Sequence, residues 1–334
     1  MNEPLRVLIY GGGAVGLGVA GCLLKSGVET TILARPQTAM ALKAHGLVRT
    51  GIFGDYMAPP ESLVGVESLD SIGARTFDVI LVCTKSFDSP NAARDLANHR
   101  GLFGTNTAIV LFQNGWGNAE SFTQLFDPLR VFNARVITGF IRPRPNEVVI
   151  TVHADSIHIG SLFGADAKPL AWLAEAITTG GIPAMLTDSI EKDLWAKMLY
   201  NCALNPLGAI LDVPYGKLAE SSHSRAIMDT VIDETFAVMT AAGYRTHWVS
   251  ADGFRKVFYD RLVPDTALHR SSTLQDLRAG KRTEIDALTG AVLKLADKQR
   301  TNTPVSRILY ELIRFIETRT IGSSSPGTKE PPTA

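Results

Sequence analysis

Residues 5–35 read LRVLIYGGGAVGLGVAGCLLKSGVETTILAR, in which two short apolar runs enclose a glycine-rich turn and a segment of small residues. The run Val7–Tyr10 is bounded by glycine and predicts a buried strand. A helix is expected after the turn, through about Lys25, and the β-branched run Thr30–Leu33 predicts a second strand. Strand, turn, helix and strand within about 30 residues are typical of a βαβ unit.

The turn itself carries the spacing G-x-G-x-x-G, formed by Gly11, Gly13 and Gly16. Glycine permits a tight turn and lets backbone N–H groups approach a pyrophosphate at the positive end of a helix. The same spacing also occurs in turns whose glycines serve only close packing. In its strand–turn–helix context, the motif predicts a dinucleotide-binding site.

The end of the second strand bears on which dinucleotide binds. NAD and FAD sites usually place an acidic residue there, but this chain has Arg35, whose planar guanidinium suits a phosphate. Lys85, which follows the predicted buried strand Val79–Cys83, is a candidate second cation for the same phosphate. Either residue could instead be an ordinary surface cation. The pattern favours NADP(H) over NAD(H).

A second informative stretch is residues 194–206, LWAKMLYNCALNP, an apolar run with polar residues four positions apart. On a helix, Lys197, Asn201 and Asn205 would form one polar stripe. A buried lysine needs a carboxylate, an amide or a substrate as its partner, because an unpaired buried ammonium is costly. The alternative interpretation is a lysine whose stem is buried and whose charged end reaches water. The stripe is therefore a candidate catalytic or substrate-binding surface.

The chain changes character near residue 187. Strands and helices alternate before it, which predicts an α/β doubly wound sheet of the Rossmann type over residues 1–187. From residue 188 to 320 the periodicity is helical, which predicts an all-α second domain. Residues 321–334, IGSSSPGTKEPPTA, lack apolar content and predict a disordered tail.

The helical half holds two further candidates, Ser272 and Glu284, within SSTLQDLRAGKRTEID. An acid there could pair with Lys197 and hold it charged. Twelve residues of ideal helix turn by about 120° net, so the two residues would not share one face unless Gly280 bends the chain. The simpler alternative for Glu284 is a surface helix acid paired with Lys281 or Arg282.

Composition excludes several classes of protein. The formal net charge of the 334 residues is zero and no basic cluster stands out, which argues against a nucleic-acid partner. Three scattered cysteines within apolar segments favour reduced core thiols and a cytoplasmic protein, and no metal-ligand spacing is present. No apolar run reaches the length of a membrane span. The apolar helical half would support a homodimer, but an internal core explains the same residues.

Taken together, the motifs resemble the ketopantoate reductases (2-dehydropantoate 2-reductases), which are NADPH-dependent enzymes of pantothenate synthesis. The likeness extends to about residue 319. It rests on segments that occur in the family's order: GGGAVG at 11–16, CTK at 83–85, QNGWGN at 113–118, LWAKMLYNCALNPLGAI at 194–210, SSTLQD at 271–276 and RTEID at 282–286.

The resemblance implies an NADP-binding Rossmann domain and a helical domain like the carboxy-terminal domain of 6-phosphogluconate dehydrogenase. It implies that Lys197 is the general acid and that Glu284 supports it and contacts the substrate. Asn114 would lie near the nicotinamide and the substrate. The remaining implied residues are Asn201, Asn205 and Ser272 for the substrate, and Gly11, Gly13, Gly16, Arg35 and Lys85 for the cofactor.

The implied reaction is the NADPH-dependent reduction of 2-dehydropantoate to pantoate. Two other functions stay open: a related reductase of another 2-keto acid or a β-hydroxy acid, and a non-catalytic NADP-sensing protein. The segment ITGFIRPRPNEV at residues 137–148 has no close counterpart in the family pattern. This departure bears on substrate identity more than on the chemistry.

Overall fold

A computed structural model describes residues 4–322 of the chain. Two compact units, Met1–Leu194 and Trp195–Ala334, make up the molecule. The division lies inside a single helix that begins at Ile190, shortly after the boundary expected at residue 187. Each unit is described by itself below.

The first unit is an α/β domain built on one mixed sheet of ten strands. Its strands are β1 (Arg6–Tyr10), β2 (Glu29–Leu33), β3 (Leu47–Gly51), β4 (Tyr56–Ala58), β5 (Val64–Val66), β6 (Phe77–Val82), β7 (Phe103–Leu111), β8 (Val131–Ile141), β9 (Glu147–Gly160) and β10 (Ala184–Leu186). Its helices are α1 (Ala14–Lys25), α2 (Pro36–His45), α3 (Ser89–Asn98), α4 (Asn118–Thr123) and α5 (Ala171–Gly180).

The strand order is β4-β3-β9-β8-β7-β6-β1-β2-β5, with β10 paired to β9. From β5 to β8 all neighbours are parallel, so the carboxyl ends of β2, β1, β6 and β7 lie along one edge. The pairs β8–β9 and β3–β4 are antiparallel, and the far half of the sheet curls around α1. The predicted Rossmann-type unit is confirmed, within a sheet that is larger and mixed.

Two apolar cores cover the two faces of the parallel strands. Because side chains alternate along a strand, Val7 and Ile9 of β1 pack in one core and Leu8 packs in the other. The first core includes α1 and α5, and the second includes α3 and α4. Helices on both faces fix the carboxyl edge of the strands, where the predicted cofactor residues lie.

The second unit is all-helical over its described part, residues 195–322, as predicted. It contains the continuation of α6 (Ile190–Ile210), α7 (Tyr215–Glu220), α8 (Ser222–Ala241), α9 (Ala251–Val257), α10 (Val263–Asp265), α11 (Ser272–Arg278), α12 (Thr289–Gln299) and α13 (Pro304–Gly322). Helix α13 includes Ile321 and Gly322, the first residues of the predicted tail. The rest of that prediction lies outside the described residues.

Helix α11 ends at Arg278, and Gly280 adopts a φ of +63°. This left-handed conformation is one that glycine takes readily, so the chain turns there instead of continuing the helix. Ser272 and Glu284 are therefore on different segments, and the geometric objection to their acting together does not arise.

Candidate functional site

The glycine turn joins β1 to α1 and leaves no room for a side chain at Gly11, Gly12 or Gly16. Gly11 has a φ of +120°, and an added Cβ would lie 2.9 Å from the Thr84 backbone nitrogen. A Cβ on Gly16 would lie 2.1 Å from the Gly11 carbonyl oxygen. These glycines let the turn pack against the segment after β6 and against itself.

Gly13 meets different surroundings. A Cβ there would have one neighbour within 4 Å, the Cys83 carbonyl oxygen at 4.0 Å. Gly13 is the N-cap of α1, and no side chain caps this helix or places an acid in its first turn. Open space in front of uncapped N–H groups fits an anionic group such as a pyrophosphate.

The segment Cys83–Lys85 follows β6 directly and lies beside the glycine turn. The Cys83 N–H donates to the Tyr10 carbonyl at the end of β1, at 2.9 Å. Burial raises the pKa of the Cys83 thiol, so the thiol stays neutral next to the turn. Lys85 itself is half-buried.

A buried amide network ties this segment to the loop after β7. The two N–H groups of Gln113 Nε2 are shared among three acceptors: the Ser89 hydroxyl at 2.9 Å, the Thr84 hydroxyl at 3.2 Å and the Lys85 carbonyl at 3.3 Å. The Ser89 hydroxyl donates to the Asn118 Oδ1 at 2.9 Å. The network fixes the backbone on which Lys85 is carried.

Asn118 extends the network to the predicted residue Asn114. The Asn118 Nδ2 donates to the Asn114 backbone carbonyl at 2.9 Å. This bond fixes the backbone that carries the half-buried Asn114 side chain. Gln113 belongs to the family segment QNGWGN but is assigned no role there, and Ser89 is not among the candidate site residues; a signal for both is their proximity in sequence to Asn114 and Lys85.

Arg35 lies at the end of β2, exposed, as the N-cap of α2. Helix α2 has no acidic residue in its first turn. The Gly11 and Gly12 N–H groups donate to the Leu33 carbonyl at 3.1 and 2.9 Å, which ties the glycine turn to this strand end. Arg35 and Lys85 follow β2 and β6, the two parallel neighbours of β1. Both cations thus lie at the carboxyl edge that holds the glycine turn.

In the second unit, the stripe on α6 is a helical face as predicted from the spacing. Asn201 and Asn205 are 8% and 3% exposed, and Lys197 is half-buried. Around them Trp195, Met198 and Leu199 are buried. Polar groups on a face this apolar need hydrogen-bond partners.

Asn205 has such partners within the unit. The Tyr215 hydroxyl donates to the side-chain Oδ1 of Asn205 at 2.6 Å. The Ser271 hydroxyl donates to the backbone carbonyl of Asn205 at 3.3 Å. Burial, reinforced by Tyr200, raises the pKa of Tyr215, so its hydroxyl remains a donor. The amide is held in one orientation, a feature that the sequence did not predict.

Ser271 also caps α11, because its hydroxyl accepts a hydrogen bond from the Leu274 N–H at 3.1 Å. Ser272 is therefore the first residue of the helix. Its side chain is half-buried. The Ser271 hydroxyl also contacts Asn205, so the start of α11 lies next to the carboxyl-terminal end of the stripe. The structure thus brings together Asn205 and the residue preceding Ser272.

Glu284 is only 7% exposed and lies between α11 and α12. The alternative interpretation of a surface helix acid is therefore wrong. Arg282 pairs with Asp286, at 2.8 Å. The Thr283 N–H donates to the buried Glu317 Oε1 at 2.6 Å, which draws this segment inwards.

Residues 4–322 contain no group of three or more histidine, cysteine or acidic side chains placed to hold a metal ion. Within the same range, no helix combines the length and apolar character that crossing a membrane requires. The cysteines Cys22, Cys83 and Cys202 are all free.

Comparison with known proteins gives two family matches. Residues 7–164 match the family described as ketopantoate reductase PanE/ApbA, and residues 189–317 match its C-terminal domain. A 2-dehydropantoate 2-reductase of Aquifex aeolicus is 36% identical over 314 residues, which cover 94% of this chain and 97% of that protein. The chain belongs to the ketopantoate reductase family.

Solved structures agree with this placement. A PanE/ApbA family ketopantoate reductase from Ralstonia eutropha superposes with a TM-score of 0.79 at 30% identity, covering 95% of this chain and 99% of that one. D-mandelate dehydrogenase in complex with NADH and anilino(oxo)acetate has a TM-score of 0.83 at 22% identity, covering 95% of this chain and 99% of that one. At that identity the likeness concerns the fold alone.

The candidate residues of the first unit and those of the second lie in the two domains of one family, the ketopantoate reductases. The glycine turn, Arg35, Lys85 and Asn114 lie in the part matched by the first family description, and Lys197, Asn201, Asn205, Ser272 and Glu284 lie in the part matched by the second.

Proposed function

We propose that this ketopantoate reductase family member reduces 2-dehydropantoate to pantoate with NADPH. The observation that carries the proposal is the polar stripe on α6, where a half-buried lysine precedes two buried amides in an apolar setting. An ammonium and fixed amides suit a small keto acid, whose carbonyl and carboxylate oxygens accept hydrogen bonds.

Lys197 is proposed as the general acid. Reduction of a ketone develops negative charge on the carbonyl oxygen, and an ammonium held nearby stabilises that charge and donates the proton. Asn201, Asn205 and Ser272 would orient the hydroxyl and carboxylate groups without adding charge. Glu284, buried in the same unit, would position Lys197.

The first unit would hold the cofactor, which supplies the hydride when bound. Gly11 and Gly16 shape the turn, Gly13 leaves the helix N-terminus open, and Asn114 would contact the nicotinamide. Arg35 and Lys85 are proposed to bind the 2′-phosphate, which makes NADPH the preferred cofactor.

The second candidate function is reduction of another 2-keto acid. The solved D-mandelate dehydrogenase shares this fold and binds NADH in its complex, so the fold does not dictate substrate or cofactor. The lysine–amide stripe argues against a third candidate, a non-catalytic NADP sensor, which has no use for a half-buried proton donor beside two buried amides.

Steady-state kinetics with a panel of 2-keto acids tests the proposal. With NADPH in excess, kcat/KM for 2-dehydropantoate should exceed that for pyruvate about tenfold or more, because the stripe can bond the extra hydroxyl. Equal values, or a higher value for another 2-keto acid, would favour the second candidate function.

We also propose a cytoplasmic homodimer. The three free cysteines suit a reducing compartment. An exposed apolar stripe on α13, formed by Ile308, Leu312 and Phe315, suits an antiparallel contact with a second copy. Light scattering should give a dimer mass that Leu312→Glu converts to a monomer; a monomeric wild type would contradict the contact.

A further inference from the structure

Arg142 comes from the segment at residues 137–148 that the family pattern left unmatched. It follows β8, in the connection to β9. Its Nη1 donates to the Gly12 carbonyl at 3.2 Å and to the Thr38 hydroxyl at 3.0 Å. The β8–β9 hairpin, which is formed by these two strands and their connection, thus contacts both the glycine turn and the first turn of α2.

These contacts lie where the turn and the end of β2 meet most closely. A Cβ on Gly12 would be 2.6 Å from the Ala34 Cβ and 3.3 Å from the Thr38 Cγ2. The Arg35 carbonyl accepts from the Thr38 N–H at 2.9 Å. Arg35 and Arg142 are therefore joined through a single residue, Thr38.

The charge of Arg142 is not neutralised by the protein. Over residues 4–322 its bonds are those of Nη1 to two uncharged oxygens, and no carboxylate pairs with it. Its neighbour Arg144 does have such a pair, with Glu147 at 3.1 Å. Arg142 is exposed, so its remaining N–H groups face solvent beside the turn.

Two arginines that both contact Thr38 are candidates for one anion site. Helix α2 has no acidic residue in its first turn, and Thr38 contacts Arg35 through the Arg35 backbone carbonyl and Arg142 through the Arg142 Nη1. Guanidinium groups bind phosphate through paired N–H donors, and two such groups bind a doubly charged phosphate better than one.

We propose that Arg142 binds the 2′-phosphate of NADP(H) together with Arg35. The proposal deepens the cofactor assignment above and rests on it. It makes the β8–β9 hairpin a part of cofactor selection, although this segment is remote in sequence from the glycine motif.

Binding measurements on the purified full-length chain test this role. NADPH and NADH are titrated by their own fluorescence into the wild type, Arg142→Ala and Arg142→Lys. Arg144→Ala is the matched control, because it removes an arginine from the same connection that already has a carboxylate partner. Thermal unfolding of each variant verifies that the fold is retained.

Arg142→Ala should weaken NADPH binding about tenfold and leave NADH binding within about twofold, since one charge-assisted contact to the phosphate is lost. Arg142→Lys should fall between, because it keeps the charge and loses the paired donors. Arg144→Ala should match the wild type. The NADPH deficit should shrink at high salt, where charge interactions are screened.

Other outcomes overturn the inference in distinguishable ways. Equal loss of both nucleotides would mean that Arg142 braces the turn or contacts the adenine. Unchanged NADPH preference in Arg142→Ala would overturn its role and leave Arg35 as the selector. A wild type that binds both nucleotides equally would overturn the NADP(H) proposal itself, and this inference with it.

Discussion

Gly13 and Gly16 belong to one motif but meet different surroundings. A Cβ on Gly16 would collide with the Gly11 carbonyl at 2.1 Å, whereas one on Gly13 has 4.0 Å of clearance from the protein. We expect Gly16→Ala to distort the turn and lower thermal stability. Gly13→Ala should keep wild-type stability and weaken NADPH binding about tenfold or more, because the added methyl occupies the space before the helix N-terminus.

Differential scanning fluorimetry and nucleotide titration on both variants separate these effects. A Gly13→Ala variant that binds NADPH normally would remove Gly13 from the cofactor site. A Gly16→Ala variant with unchanged stability would contradict the packing account of that glycine.

Lys197 carries the proposed proton transfer. Lys197→Ala should lower turnover by about two to four orders of magnitude while NADPH still binds, since general acid catalysis contributes on that scale. Lys192→Ala, an exposed lysine on the same helix, is the control. Near-normal turnover in Lys197→Ala would remove the residue from the mechanism.

At the scale of elements, one buried bond links α6 to α7. Tyr215→Phe removes the donor to the Asn205 Oδ1 and leaves that buried acceptor unpaired. We expect a loss of about 1–3 kcal/mol in the free energy of unfolding. Tyr259→Phe, whose hydroxyl donates to Asp229 at a half-exposed position, should cost less in the same urea titration. Equal losses in the free energy of unfolding would show that the buried Tyr215–Asn205 bond contributes no more to stability than the half-exposed Tyr259–Asp229 bond.

The carboxyl end of α3 contains a pH-sensitive contact. Hydrogen bonds of His99 with the Asp95 carbonyl and with the Asp70 carboxylate raise the pKa of His99 above its ordinary 6.5. The stability from this contact is complete below pH 6.5 and is lost as the pH rises through the folded-state pKa.

His99→Gln should therefore destabilise the protein more at about pH 5.5 than at about pH 8.5, as measured by urea unfolding at both values. The same loss at both pH values, or a larger loss in alkaline buffer, would contradict the assigned direction of the pKa.

Elements with strong local signals were predictable and those set by distant pairing were not. The glycine turn, α1 and α6 follow from periodicity and glycine placement. The β8–β9 hairpin extends to Ile141, beyond the apolar run Val131–Ile137, because its far end pairs across the strands, as Phe140 does with Ile150. Strand register is a non-local property, so Arg142 could not be placed from sequence.

The same limit applied to single residues. Glu284 stands among charged neighbours, which locally resembles a solvated helix face. Its burial depends on a segment drawn inwards by Glu317, which lies 34 positions after Thr283. The hydrogen bond between Tyr215 and Asn205 likewise could not be predicted from the sequence, because no spacing rule connects the two residues.

At the scale of the whole molecule, family membership joins a unit that contains the glycine turn to a helical unit that contains the proposed proton donor. In the proposed mechanism neither unit suffices for reduction, because the first lacks the α6 stripe and the second lacks the glycine turn. The order of these parts along the chain was readable from sequence, since each has its own local pattern.

The most direct test of the account is the amount of pantoate that the purified chain forms from 2-dehydropantoate, measured against the NADPH it oxidises. We expect the two amounts to be equal, with NADH supporting a much lower rate. NADPH that binds but is not oxidised, with no pantoate formed, would contradict the proposed function and leave only the fold and the family.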